Sequence, residues 1–258
     1  DSVAARDLLE KAAKVDPSNA HIQVARAVAW GQLGYDEKAR EAAKVALDLS
    51  TKLSREEHLS IGGRYREAIH DYTRAEEIYK SLREVFPDNP DYAMRLATMQ
   101  THGGDPKEAY DTLDQLRATF PAMKDDPRVD VTEASVADRL SDFKREQAAA
   151  GRAAAAAKAR GERLLAARAL LLEGWAWHKL GDQAKATSVS LEAKSIYEAV
   201  GDRLGQSPAL HNLANIAEGQ GKNDEGEKYF LEAIAIRRKI QDNTGLARAF
   251  NDLAIIHE

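Results

Sequence analysis

The chain has 258 residues, a formal net charge of −5, and 43% hydrophobic against 31% charged residues, which is a globular composition and not that of a disordered tail. The acidic balance provides no global basic field to hold nucleic acid through its phosphates, and the absence of Cys excludes disulfides, thiolate metal sites and a Cys nucleophile. The longest apolar stretches, such as Leu164 to Leu172, are broken by Arg168 and are too short to span a bilayer, and the opening Asp1-Ser2-Val3-Ala4 lacks the basic and apolar regions of a signal peptide.

Ala is very frequent and Gly and Pro are modest, which favours helix throughout. In chain order, fourteen helices are predicted, at about residues 2–16, 20–33, 36–50, 54–69, 72–86, 90–103, 106–120, 127–140, 142–160, 162–180, 183–200, 203–220, 223–240 and 243–257. A cue recurs between them: a turn, a short polar step, then a small residue within the next helix. Leu33-Gly34-Tyr35 leads to Ala39, Asp71-Tyr72 to Ala75, His102-Gly103-Gly104-Asp105 to Ala109, Leu180-Gly181-Asp182 to Ala186, and Gln220-Gly221-Lys222 to Gly226.

Aligned on that small position, the chain reads Ala5, Ala39, Ala75, Ala109, Glu146, Ala186, Gly226, at intervals of 34, 36, 34, 37, 40 and 40 residues. A second series lies seven residues further on, at Ala12, Ala46, Leu82, Leu116, Ala153, Ala193 and Ala233, and Pro17, Pro87 and Pro121 then end their helices. Two antiparallel helices approach closely only where a small side chain sits at the crossing, and a Gly in the turn can take the left-handed conformation that closes the first helix. One such hairpin cannot bury its apolar face, but a stack of them can.

The pattern, in stretches such as Trp30-Gly31-Gln32-Leu33-Gly34-Tyr35-Asp36-Glu37-Lys38-Ala39 and Leu210-His211-Asn212-Leu213-Ala214-Asn215, resembles the tetratricopeptide repeat family over essentially the whole chain. The resemblance implies an all-α fold, a right-handed α-α superhelix of about seven helical hairpins. Glu146 and Gly226 depart from the usual Ala, and Leu82 and Leu116 from the second Ala. The period is near 34 over 1–124 and near 40 over 125–258, with Gly201-Asp202-Arg203-Leu204-Gly205 and Gln241-Asp242-Asn243-Thr244-Gly245 as spacers. The longer form looks like the repeats of kinesin light chains and of bacterial signalling proteins. Pro121 to Pro127 is the expected joint between the sub-arrays, too short for a free linker, so one continuous solenoid is expected. Both ends fall within a hairpin, so a fragment of a larger protein is expected.

Motifs for catalysis are missing: the sequence has no GxxxxGK[ST], GxSxG or HExxH. Gly219-Gln220-Gly221-Lys222 follows a helix and reads as a hairpin turn, and the seven His are scattered without metal-ligand spacing. No enzyme activity, metal or cofactor is expected. In the family, the first helix of each hairpin lines a concave groove. Carried onto this chain, Asn212 and Asn215 stand at groove positions where an Asn grips a ligand backbone, since an amide both donates and accepts. Trp175 points toward the groove near His178, His211 and Arg168, either as an anchor for a partner or packed between neighbouring hairpins, whereas Trp30 and Trp177 face the second helix and read as core.

Arg64, Arg95 and His102 share inner positions in the first half, either as a modest basic groove for an acidic segment or as a solvated face bridged to Glu57, Glu67 and Asp91. A carboxylate clamp is not supported, because His21, Val24 and Val28 begin its series. The expected function is a scaffold holding a peptide or protein partner, with neither nucleic acid nor membrane insertion. The alternative is the regulatory arm of a bacterial Ser/Thr kinase or winged-helix regulator, and an enzyme with a groove-assembled site stands behind both. Compartment is open: the cytoplasm is favoured, and the periplasm follows if a membrane span precedes the segment.

Overall fold

The computed structural model describes residues 2–240, 245–247 and 249–250, and the chain divides into two compact units, Asp1–Lys124 and Asp125–Glu258. The first unit holds α1 (Ser2–Val15), α2 (Ala20–Gln32), α3 (Asp36–Leu49), α4 (Arg55–Ala68), α5 (Tyr72–Val85), α6 (Pro90–His102) and α7 (Pro106–Thr119), with short 3₁₀ turns at Ser50–Lys52 and Pro121–Met123. The second holds α8 (Pro127–Arg139), α9 (Phe143–Ala159), α10 (Arg163–Lys179), α11 (Gln183–Val200), α12 (Arg203–Gly219) and α13 (Asn223–Ile240). Among the described residues there is no strand. The first thirteen expected helices are present, each within a residue or so of its expected bounds. The last, at 243–257, lies largely outside the described residues, of which 245–247 and 249–250 are helical.

The helices start where short polar side chains take up their free N–H groups. Asn19, Asn89, Asp105, Asp126, Asp142, Asp182 and Asp202 each accept from a backbone N–H of the first turn. Ser54 and Glu57 form a reciprocal capping box on α4. Helices end in a common turn, in which the N–H a few residues past the helix bonds back across it: Tyr35 N to Trp30 O, Asp71 N to Arg66 O, Asp142 N to Ala137 O, Asp182 N to Trp177 O. That closure places one residue at positive φ, and Gly34, Gly181 and Gly221 fill it at φ 80°, 87° and 72°. His70 and Ser141 stand at the same place with φ 60° and 57°, where a Cβ meets the following carbonyl.

Within each unit consecutive helices pack as antiparallel pairs, and alternate helices touch: α2 with α4, α8 with α10, and α10 with α12. The small positions sit at the crossings. Ala75, Ala109 and Ala186 are fully buried, as are Ala46, Ala153 and Ala193 of the second series. Leu82 and Leu116 are buried too, alongside Tyr79, Leu96 and Met99 in the first unit. Ala5 differs and is exposed, because α1 packs chiefly on α2. The Ala-rich run is a regular helix, with Ala149, Ala150, Ala153, Ala154 and Ala157 of α9 all buried. Close approach is most pronounced at Gly205, where a Cβ would stand 2.2 Å from Tyr197 Cε1.

Because Ser141 pays for a left-handed backbone that Gly adopts freely, Ser141→Gly is expected to stabilise the second unit by about 1 kcal/mol. Gly181→Ala, at the matching turn, should cost a similar amount. Urea unfolding followed by circular dichroism reads both, and a neutral result for the pair would show that neither turn carries strain.

Candidate partner-binding site

In the first unit the charged side chains expected on the inner helices converge on one carboxylate. Arg95 Nη1 of α6 lies 3.0 Å from Glu67 Oε1 of α4, Arg64 Nη1 lies 3.5 Å from Glu67 Oε2, and the Tyr79 hydroxyl of α5 donates to the same Glu67. The Arg95 guanidinium also sits 5.8 Å from the Tyr79 ring centre. Burial, and then the Arg95 charge, pull the Arg64 pKa below the usual guanidinium value, with Glu67 and Tyr79 opposing. Glu57 does not join this cluster; it pairs with His21 Nε2 at 3.1 Å and caps α4.

His102 also stands apart from Arg64 and Arg95. It is exposed at the end of α6, and its ring lies 5.4 Å from that of Tyr72, which stacks on His70 at 5.7 Å. The expected basic trio is therefore a half-buried Arg–Glu–Arg bridge plus a separate aromatic ladder at the turn. A chain that folds back every 17 residues or so brings helix ends together with turns, which inner-position spacing alone does not show.

Beside Arg64 opens a cleft of about 260 Å³ between α2, α3 and α4. Its walls are Val24, Ala27, Ala43, Ala46 and Ile61, with Arg64 and Glu67 at its polar side. The cleft exists because the facing residues are small: Ala side chains let the helices cross, but they fill little of the space where α4 leaves α2 and α3. Sequence reading missed it, although Ala27 and Ala43 together with Gly31 on neighbouring helices were its signal.

In the second unit Trp175 of α10 is half-buried. Its ring lies 5.4 Å from the His178 ring, with Lys179 Nζ 4.4 Å from its centre, and its indole acts on the Asp138 carboxyl of α8. Burial raises the Asp138 pKa above the usual carboxylate range, opposed by Trp175, Arg139 and Lys179. His178 Nδ1 lies 3.0 Å from Gln183 Oε1 on α11. His211 instead meets Phe230 of α13 edge-on at 5.6 Å, and exposed Arg168 acts on Tyr197 of α11. Of the expected neighbours of Trp175, the structure thus brings His178 to it, while His211 and Arg168 are engaged elsewhere.

The two Asn side chains differ from their expected placement as a clamp. Asn212 is 6% exposed and its Nδ2 donates to Leu171 O at 2.9 Å, tying α12 to α10. Asn215 Nδ2 donates to His211 O at 2.8 Å, one turn back on its own helix. Both amides donate to backbone carbonyls, of α10 and of α12 respectively. Trp30 is buried as expected, whereas Trp177 is half-buried, bonded to Glu173 and covered by Lys185 at 4.0 Å.

Among the described residues no group of three or more His, Asp or Glu is placed to hold a metal ion, and no helix is long and apolar enough to cross a membrane. Antiparallel helical pairs with small residues at most crossings define a helical-repeat protein. Two family models, each described as a tetratricopeptide repeat, match residues 63–130 and 206–258. Tetratricopeptide repeats are thus present in both halves of the chain.

Solved structures share the fold. A Rap protein complexed with Competence and Sporulation Factor superposes with a TM-score of 0.75 at 14% identity, over 89% of this chain and 67% of its own. A thermophilic tetratricopeptide repeat protein of Thermus thermophilus gives 0.57 at 18% identity, over 76% and 98%. MamA gives 0.52 at 20% identity, over 70% and 96%. At these identities the likeness is one of fold. No curated protein sequence matches the chain.

Removing the Asn212 amide breaks the side-chain bond that ties α12 to α10 at Leu171 O, so Asn212→Ala is expected to destabilise the second unit by about 1 kcal/mol. Asn215→Ala, which removes only a bond to its own helix, should shift stability by less than about 0.5 kcal/mol. Urea midpoints of the two variants test the contrast.

Proposed function

We propose that this chain is a non-catalytic scaffold that binds a peptide or protein partner along the faces of its first-in-hairpin helices. The observation that carries the reading is the cleft between α2, α3 and α4, which combines apolar walls with a half-buried guanidinium. Such a cleft suits an apolar side chain of the partner. Arg64 with Glu67 and Asp36 at the cleft's polar side offers hydrogen-bond partners to a polar group next to it. In the second unit the ring of Trp175 offers a second, aromatic contact, backed by His178 and Lys179. The reading also draws support from the Rap structure, in which a protein of the same fold was crystallised with a factor bound. A net charge of −5 makes nucleic acid an unfavourable partner for this segment.

The reading is tested by immobilising the full chain, capturing partners from lysate of the source organism, and repeating the capture with Ala43→Leu and Trp175→Ala. Ala43→Leu fills the cleft, and Trp175→Ala removes a contact of the kind worth about 2 kcal/mol, or roughly thirtyfold in affinity. A partner lost by either variant at unchanged helicity places binding on that face. A partner held equally by both and by Arg64→Gln would move binding to the outer helices.

A further inference from the structure

Glu146 lies in the first turn of α9, at the crossing position that Ala75, Ala109 and Ala186 fill in other repeats. Its relative exposure is 0%, and among the described residues neither carboxyl oxygen has a hydrogen-bond partner. Buried carboxylates are otherwise met by donors here: Arg145 reaches Glu133 at 2.8 Å, and Arg152 reaches both Asp130 and Glu133. A negative charge left without donors inside a packed helical pair is strongly unfavourable. A neutral carboxylic acid of the same shape is tolerated at much lower cost.

The surrounding charges do not offset this. On α8, Asp138 acts on Glu146 directly and with the same sign. The Trp175 indole of α10, Arg139 of α8 and Lys179 of α10 all act on Asp138, favouring its charged form. Just before α9, Asp142 caps the helix through the Arg145 N–H, while the Arg145 side chain is held by Glu133. On α10, Glu173 accepts from the Trp177 indole. Among the described residues, Asp138 is the charged group whose effect on Glu146 is resolved.

We propose that Glu146 is a proton-controlled latch of the second unit: protonated, it lets α8, α9 and α10 close with the Trp175 indole held on Asp138, and ionised, it loosens that crossing and frees the indole. Burial, and then the Asp138 charge, push the Glu146 carboxyl up to about 9 from its ordinary 4.5. Between those values the folded unit holds a proton that the unfolded chain has released. Stability therefore falls as pH rises from about 4.5 to about 9 and levels off above, the folding equilibrium constant dropping about tenfold per pH unit for one proton. The latch does not depend on the groove reading, because its readout needs no partner.

The test uses the full chain carrying Trp30→Phe and Trp177→Phe, so that fluorescence reports Trp175 alone. Titrated from pH 6 to 10.5, emission is expected to change with a midpoint near 9. Glu146→Gln keeps the shape without the titration, and Glu146→Ala restores the residue of the other repeats. Both should abolish the transition and leave only the tyrosine ionisation at higher pH. Urea midpoints of the parent should fall across pH 5 to 9 by one proton more than those of either variant. A transition that persists in both variants, or equal pH slopes in parent and variants, overturns the proposal.

Discussion

Everything in this molecule depends on how closely two antiparallel helices can cross. A stack of hairpins buries a core only if each helix rests on the next at short distance, and a small side chain at each crossing sets that distance. Ala75, Ala109 and Ala186 provide it for the first contact, and Ala46, Ala153 and Ala193 for the second. Where the crossing residue is larger, as at Leu82 and Leu116, it is still enclosed. Gly205 shows the opposite limit, where even a methyl group would meet Tyr197.

The same constraint explains where the polar side chains go. Crossings made of small residues have few atoms to fill the space between repeats, so long side chains reach in and bond across. Asn212 joins α12 to α10, Lys158 of α9 reaches Glu192 of α11, and Arg152 of α9 reaches back to Asp130 and Glu133 of α8. In the first unit the Glu67 carboxylate gathers three donors from α4, α5 and α6. These bonds are partly screened from water, and each holds a particular pair of helices in register. Where small residues are not supplemented in this way, between α2, α3 and α4, a cleft remains.

Glu146 is the exception that the pattern makes informative. Its neighbours in the series are Ala or Gly because the crossing has no room for a charge and no donor to meet one. A carboxyl group kept neutral by its surroundings links the packing of α9 to the Asp138 carboxylate, and through it to the indole of Trp175. The Trp175 side chain is thus connected to the interior of its own unit.

Helix content, helix bounds and the hairpin repeat were legible in the sequence by itself. Caps, turn glycines and a small residue every 34 to 40 positions are local signals, governed by backbone sterics and hydrogen bonding within a few residues. The groove residues were less legible. Spacing along a helix assigned Trp175, Asn212 and Arg64 to the inner side, but whether such a side chain is free or already bonded depends largely on atoms 28 to 41 residues away in sequence. Asn212 was claimed by Leu171 and Arg95 by Glu67, while His102 was drawn to Tyr72. The local chain determined that hairpins form. Only their stacking decided which polar groups remain for a partner, because that stacking sets which donors and acceptors come within about 3 Å of one another.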